Sequence, residues 1–121
     1  MENGNDHRHL KPRTRQFALR AIRVVEALPK TMAAQVIGRQ LMRCALSVGA
    51  NYRAASRARS KADFVSKMGL VEEEADECSY WLDMLVDANV MKKERLADLM
   101  TEAHEITAMV VASIRTARRR S

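Results

Sequence analysis

Apolar residues recur along this chain at steps of three and four, the spacing that keeps side chains on one face of an α-helix. Phe17, Ala21, Val24 and Leu28 make the first series and predict a helix from Pro12 to Leu28, with Pro12 in its first turn and Pro29 beyond its end. Ile37, Leu41, Cys44, Val48 and Ala55 make the second, with Asn51 or Tyr52 filling the missing turn and Thr31 placed to cap a helix that runs to Arg59. Gly38 and Gly49 are its weak points, each costing about 1 kcal/mol against Ala, and a bend or a close helix contact is expected near Gly49. The third series is the most regular: Phe64, Met68, Val71, Ala75, Cys78, Leu82 and Leu85 alternate steps of four and three, predicting a helix from Lys61 to Ala88. Ser60 and Asp63 open it as a capping box with Asp in place of the usual Glu or Gln. After a stop at Asn89, the positions Leu96, Leu99, Ala103, Ile106, Val110 and Ser113 predict a fourth helix from Lys92 to Arg118 without an obvious cap.

Four helices joined by short connections fold back on one another, so the expected fold is all-α, an antiparallel up-down-up-down four-helix bundle. In a hairpin of the second and third helices, Ile37 falls level with Leu85, Leu41 with Leu82, Cys44 with Cys78, Val48 with Ala75 and Ala55 with Met68, so the two seams are in register. A chain of 121 residues supports one core, and the organisation read from it is a flexible basic tail at 1–11, a single bundle domain at 12–118 and a basic end at 119–121. Ile22, Val25, Leu46, Leu70, Trp81, Met84, Met109, Val111 and Ile114 lie beside or outside the narrow seams. That surplus of apolar side chains predicts self-association.

No stretch approaches the ~20 apolar residues of a membrane span, and the first fifteen residues have no apolar signal core, which leads to the expectation of a cytoplasmic protein without a membrane partner. The formal charge is +6, so the distribution of cations decides whether a polyanion could bind. Arg39 lies level with Asp83 and Arg43 near Glu77 in the hairpin, making these four residues candidates for structural ion pairs. Arg53, Arg57, Arg59 and Lys61 have fewer acidic neighbours. With Arg115, Arg118, Arg119 and Arg120 they are the candidate phosphate-binding residues, and Arg8, Lys11, Arg13 and Arg15 of the tail are added to them. Aromatic residues are only 4% of the chain, so nucleic-acid contact would fall on phosphates and read little sequence.

Catalytic chemistry finds no foothold: there is no nucleophile with a base and no phosphate loop. The acidic run Glu72, Glu73, Glu74, Asp76 and Glu77, and His104 between Glu102 and Glu105, lack the Glu-x-x-His partners of a bundle metal site and read as solvated or ion-paired faces. His7 and His9 on the tail assign no metal site either. No cofactor is therefore expected. Cys44 and Cys78 share a layer, and the reading favoured for them is reduced, buried packing.

Phe17-Ala18-Leu19-Arg20, Ala27-Leu28-Pro29, Gly38-Arg39-Gln40-Leu41, Ser47-Val48-Gly49-Ala50-Asn51-Tyr52-Arg53 and Val71-Glu72-Glu73-Glu74-Ala75-Asp76-Glu77 resemble segments of the bacterial four-helix bundle family, also called the intervening-sequence or S23 ribosomal protein family. The likeness extends to the accessory proteins of diversity-generating retroelements. The resemblance implies a homopentameric ring, no catalytic activity, and an association with nucleic acid and with a reverse transcriptase. It carries over no functional residue. The function expected is a non-enzymatic, homo-oligomeric bundle that binds RNA or DNA through a basic surface as an accessory factor; the alternative is a structural or protein–protein interaction ring without nucleic-acid binding.

Overall fold

The computed structural model describes residues 7–120, and among them there are helices and turns but no strand. A short 3-10 turn, His7–His9, leads into α1, Leu10–Glu26; α2 spans Met32–Ser56, α3 Lys61–Asp87 and α4 Lys93–Arg119. Each helix packs on its chain neighbours and α1 closes against α4, which gives the antiparallel four-helix bundle. No described helix is long and apolar enough to cross a membrane.

The helix ends follow from local chemistry. Thr31 Oγ1 accepts the amide of Ala34 at 3.2 Å and so caps α2, and Ser60 Oγ accepts the amide of Asp63 at 3.0 Å to cap α3. The Asp63 carboxylate reaches one residue further back than a capping box requires and accepts the amide of Arg59 at 3.3 Å. Asn89 adopts φ 57°, and the amides of Asn89 and Val90 bond to the carbonyls of Val86 and Leu85, the left-handed hydrogen-bonded turn that ends a helix. No side chain caps α4.

The four seams meet in one core of Phe17, Ala21, Leu41, Val48, Met68, Val71, Leu82, Leu85, Leu96, Ile106 and Val110, all at or near zero exposure. Cys44 and Cys78 touch, Sγ to Sγ at 3.0 Å, which confirms the register of the α2–α3 hairpin. One expectation needs correction. The tail ends before residue 11: Leu10 and Lys11 are already helical and Leu10 is fully buried. His7 joins it: its Nδ1 lies 2.8 Å from the Tyr52 hydroxyl, that hydroxyl donates to the His7 carbonyl at 2.9 Å, and the ring stands 4.9 Å from that of Phe64. The rest of the expected tail, residues 1–6, and Ser121 lie outside the described residues. α1 lies close to both glycines of α2: a Cβ at Gly49 would sit in van der Waals contact with the Thr14 backbone at 3.8 Å, the helix contact expected there, and at Gly38 it would come within 2.9 Å of Leu28 Cδ1.

Candidate nucleic-acid interface

An antiparallel bundle puts the start of α1 and α3 at the same end as the finish of α2 and α4, and here that end gathers Arg53, Arg57, Arg59, Lys61, Arg115, Arg118, Arg119 and Arg120. Residues 7–25, 32–71 and 106–120 contain one carboxylate, Asp63. Of the 21 Lys and Arg residues, only Lys30, Lys92, Lys93 and Arg95 fall outside those stretches. Arg57 ends α2, Arg59 lies in the turn, Lys61 opens α3, and Arg115, Arg118 and Arg119 occupy the last turns of α4, with Arg120 at its cap. Each of these side chains is exposed. The Lys61 ammonium donates to the Arg120 carbonyl, which ties the α2–α3 turn to the end of α4 and joins the two groups of cations into one surface. The partial negative charge at the ends of α2 and α4 offsets part of their mutual repulsion.

Asp63 does not neutralise this surface. Lys67 donates to its carboxylate at 2.8 Å and the Arg59 amide adds a second bond, and together they hold the Asp63 carboxyl below the usual carboxylate range. Arg57, Arg115, Arg118 and Arg119 make no ion pair with a described residue. Arg53 is exposed one turn before Arg57 and faces a groove of about 470 Å³ between α1 and α2, together with Lys11 and Arg15.

Arg13 leaves the candidate set. Its guanidinium donates from Nε to Glu102 at 2.9 Å and from Nη2 to Glu102 and Glu105 at 2.6 and 2.7 Å, clamping α1 to α4. The hydrogen bond to Glu102, then that to Glu105, raise its already high pKa further, so it stays charged and engaged. Arg43 lies against Glu74 and Glu77, and Glu77 also accepts from Trp81 Nε1 at 2.9 Å. Arg39 and Asp83, by contrast, form no ion pair with each other or with another described residue. No group of three His, Cys, Asp or Glu among the described residues could hold a metal ion.

The surface offers little to stack a base on. Tyr52 is buried and Phe64 packs against the core, so contact at this end would be with phosphate oxygens. The clustering itself was missed from sequence. The signal that could have found it is the long acid-free stretches, once the topology folds them to one end.

The sequence profile described as 23S rRNA-intervening sequence protein matches residues 9–112. The chain belongs to this family. A protein of unknown function from the S23 ribosomal protein family of Bacteroides thetaiotaomicron, solved at 1.70 Å, is similar in structure, with a TM-score of 0.84 and 27% identity over 93% of this chain and 99% of that one. No curated protein matches. The family is one of unknown function and is not a known enzyme family.

Proposed function

We propose that this protein is a non-enzymatic, self-associating bundle that holds RNA or DNA by its phosphates at the basic end, as an accessory factor rather than a catalyst. The observation that carries the reading is the convergence of Arg57, Arg59, Lys61, Arg115, Arg118, Arg119 and Arg120 on one end of the bundle with Asp63 as the nearby carboxylate. The family description, with its reference to 23S rRNA, supports an RNA context. The reverse transcriptase and the pentamer implied by the family resemblance belong to the same proposal.

The test is filter binding of a labelled single-stranded RNA and a duplex DNA across a salt series. Binding through Z phosphates loses affinity with a slope of roughly 0.7–0.9 Z on a log–log plot, so seven cations predict a steep line. Replacing Arg57, Arg59 and Lys61 together by Ala should lower the affinity for both ligands alike, because phosphate contacts carry no sequence information. No binding at 50 mM salt would sink the proposal. The second reading, an interaction ring without nucleic acid, draws on a different observation: Met32, Val36, Leu46, Leu70 and Tyr80 are exposed. An assembled protein with no affinity for either nucleic acid would favour it.

A further inference from the structure

α2 and α3 each carry a second seam on the side turned away from the core. On α2 the exposed positions include Met32, Val36, Arg39, Arg43, Leu46, Ala50, Arg53 and, at its cap, Arg57, a row at alternating steps of four and three. On α3 they include Leu70, Glu73, Asp76, Tyr80, Asp83 and Asp87, a row again at threes and fours. A helix with one such seam packs on one side; a helix with two is built to pack on both. The six large apolar side chains left exposed among the described residues obey this division. Met32, Val36 and Leu46 stand on the α2 seam, Leu70 and Tyr80 on the α3 seam, and Leu19 lies beside Leu46 in the α1–α2 groove.

The two outer seams are opposite in charge. α2 contains no acidic residue, and its outer seam sets Arg39, Arg43, Arg53 and Arg57 among apolar side chains. The α3 seam sets Glu73, Asp76, Asp83 and Asp87 around Leu70 and Tyr80. Glu73, Asp76, Asp83 and Asp87 take no ion-pair partner among the described residues, and neither do Arg39, Arg53 and Arg57. Only Arg43 is engaged, with Glu74 and Glu77. Each seam thus presents an apolar strip and a row of unmatched charge, and the surface that fits one is the other, on a second copy of this chain. The α2 seam is roughly 37 Å long at 1.5 Å per residue, enough to build a standard-sized interface.

We infer that the outer seam of α2 in one copy packs against the outer seam of α3 in the next, apolar strip on apolar strip and arginine row on carboxylate row. The inference rests on the self-association in the proposed function and names the faces that make it. It places Arg39 and Arg53 between subunits, and leaves Arg57, at the cap where the α2 seam ends, with Arg59, Lys61 and the arginines at the end of α4 for phosphate.

Charge reversal tests it, read by sedimentation velocity at micromolar protein with helicity and melting followed in parallel. Arg39→Glu with Arg53→Glu cancels the net positive charge of the α2 seam; Glu73→Arg with Asp83→Arg cancels the net negative charge of the α3 seam. Each pair should weaken assembly at least about ten-fold, because the attraction between the seams is lost and like charges meet at the reversed positions. All four residues are exposed and outside ion pairs, so melting should stay close to that of the parent. Combining all four changes in one chain puts opposite charges back at the reversed positions of every contact and should restore assembly. A variant that fails to fold is judged by this rescue. Assembly unaffected by either pair in an oligomeric parent overturns this inference alone, whereas a parent that is monomeric at these concentrations overturns the self-association it rests on. Loss of nucleic-acid binding by the arginine pair with assembly intact would make the α2 seam a phosphate surface and likewise overturn the inference.

Discussion

The thiols of Cys44 and Cys78 are the tightest pair in the core, 3.0 Å apart and both buried. Contact with Cys44 first, and burial second, push the Cys78 thiol well above its ordinary value near 9.0, so it stays neutral in the native state. The consequence for stability has a definite sign. Between the pH at which an unfolded thiol ionises and the much higher one at which the folded thiol does, the native state binds the extra proton and stability falls as pH rises. Stability is complete below about pH 9 and declines above it at up to about 1.4 kcal/mol per pH unit. Urea midpoints measured from pH 8 to 10.5 should fall more steeply for the parent than for Cys78→Ala; parallel curves would refute this. The shared layer of these cysteines was legible in the sequence because the hairpin register is local and periodic. The role of Arg13 was not, since its partners lie 89 and 92 residues away on α4, and no periodicity reports which charged residue of α1 will face which carboxylate across the closing side of the bundle.

At the scale of the element, a helix's glycines separate propensity from packing. Gly38, Gly49 and Gly69 all sit inside helices, where Ala is favoured by about 1 kcal/mol. A Cβ at Gly69 would meet nothing within 4 Å, so Gly69→Ala should raise the melting temperature by about 3–5 °C. At Gly38 the new methyl would press to 2.9 Å from Leu28 Cδ1 and 3.2 Å from Val25 Cγ1, at the α1–α2 crossing. Gly38→Ala should therefore yield no gain or a loss, and equal stabilisation by both substitutions in thermal melts would contradict this account of the crossing. The helices themselves were legible from apolar spacing and from the caps Thr31, Ser60 and Asn89, because these are properties of short stretches of chain. The start of α1 was hidden. Leu10 stands alone among polar neighbours before Pro12, and the contacts of the preceding turn, His7 with Tyr52 and Phe64, reach 45 or more residues along the chain. The tight fit at Gly38 depends in the same way on where α1 ends.

On the scale of the whole molecule, bundle topology turns a dispersed excess of cations into a charged end. The sequence supplied the individual arginines; folding decided that Arg57, Arg59 and Lys61 meet Arg118, Arg119 and Arg120, and that Arg13 does not join them. It also decides how separable this end is from the core. The last buried residues of α4 are Val110, Ser113 and Ile114, and from Arg115 onward every described residue is exposed or partly so. Deleting residues 118–121 therefore removes three of the clustered cations without opening the core. The cost is limited to the favourable placement of cations at a helix C-terminus and the exposed bond from Lys61 to the Arg120 carbonyl, so the melting temperature should fall by no more than about 4 °C. Nucleic-acid binding should respond quite differently. If each of the three cations neutralises one phosphate, the log–log salt slope becomes shallower by about 2–3 for the same ligand, and the loss in affinity is largest at low salt and shrinks as salt rises. A truncated protein that melts normally and keeps the parent's slope would show that the end of α4 touches no phosphate, and would confine any nucleic-acid contact to the α2–α3 turn.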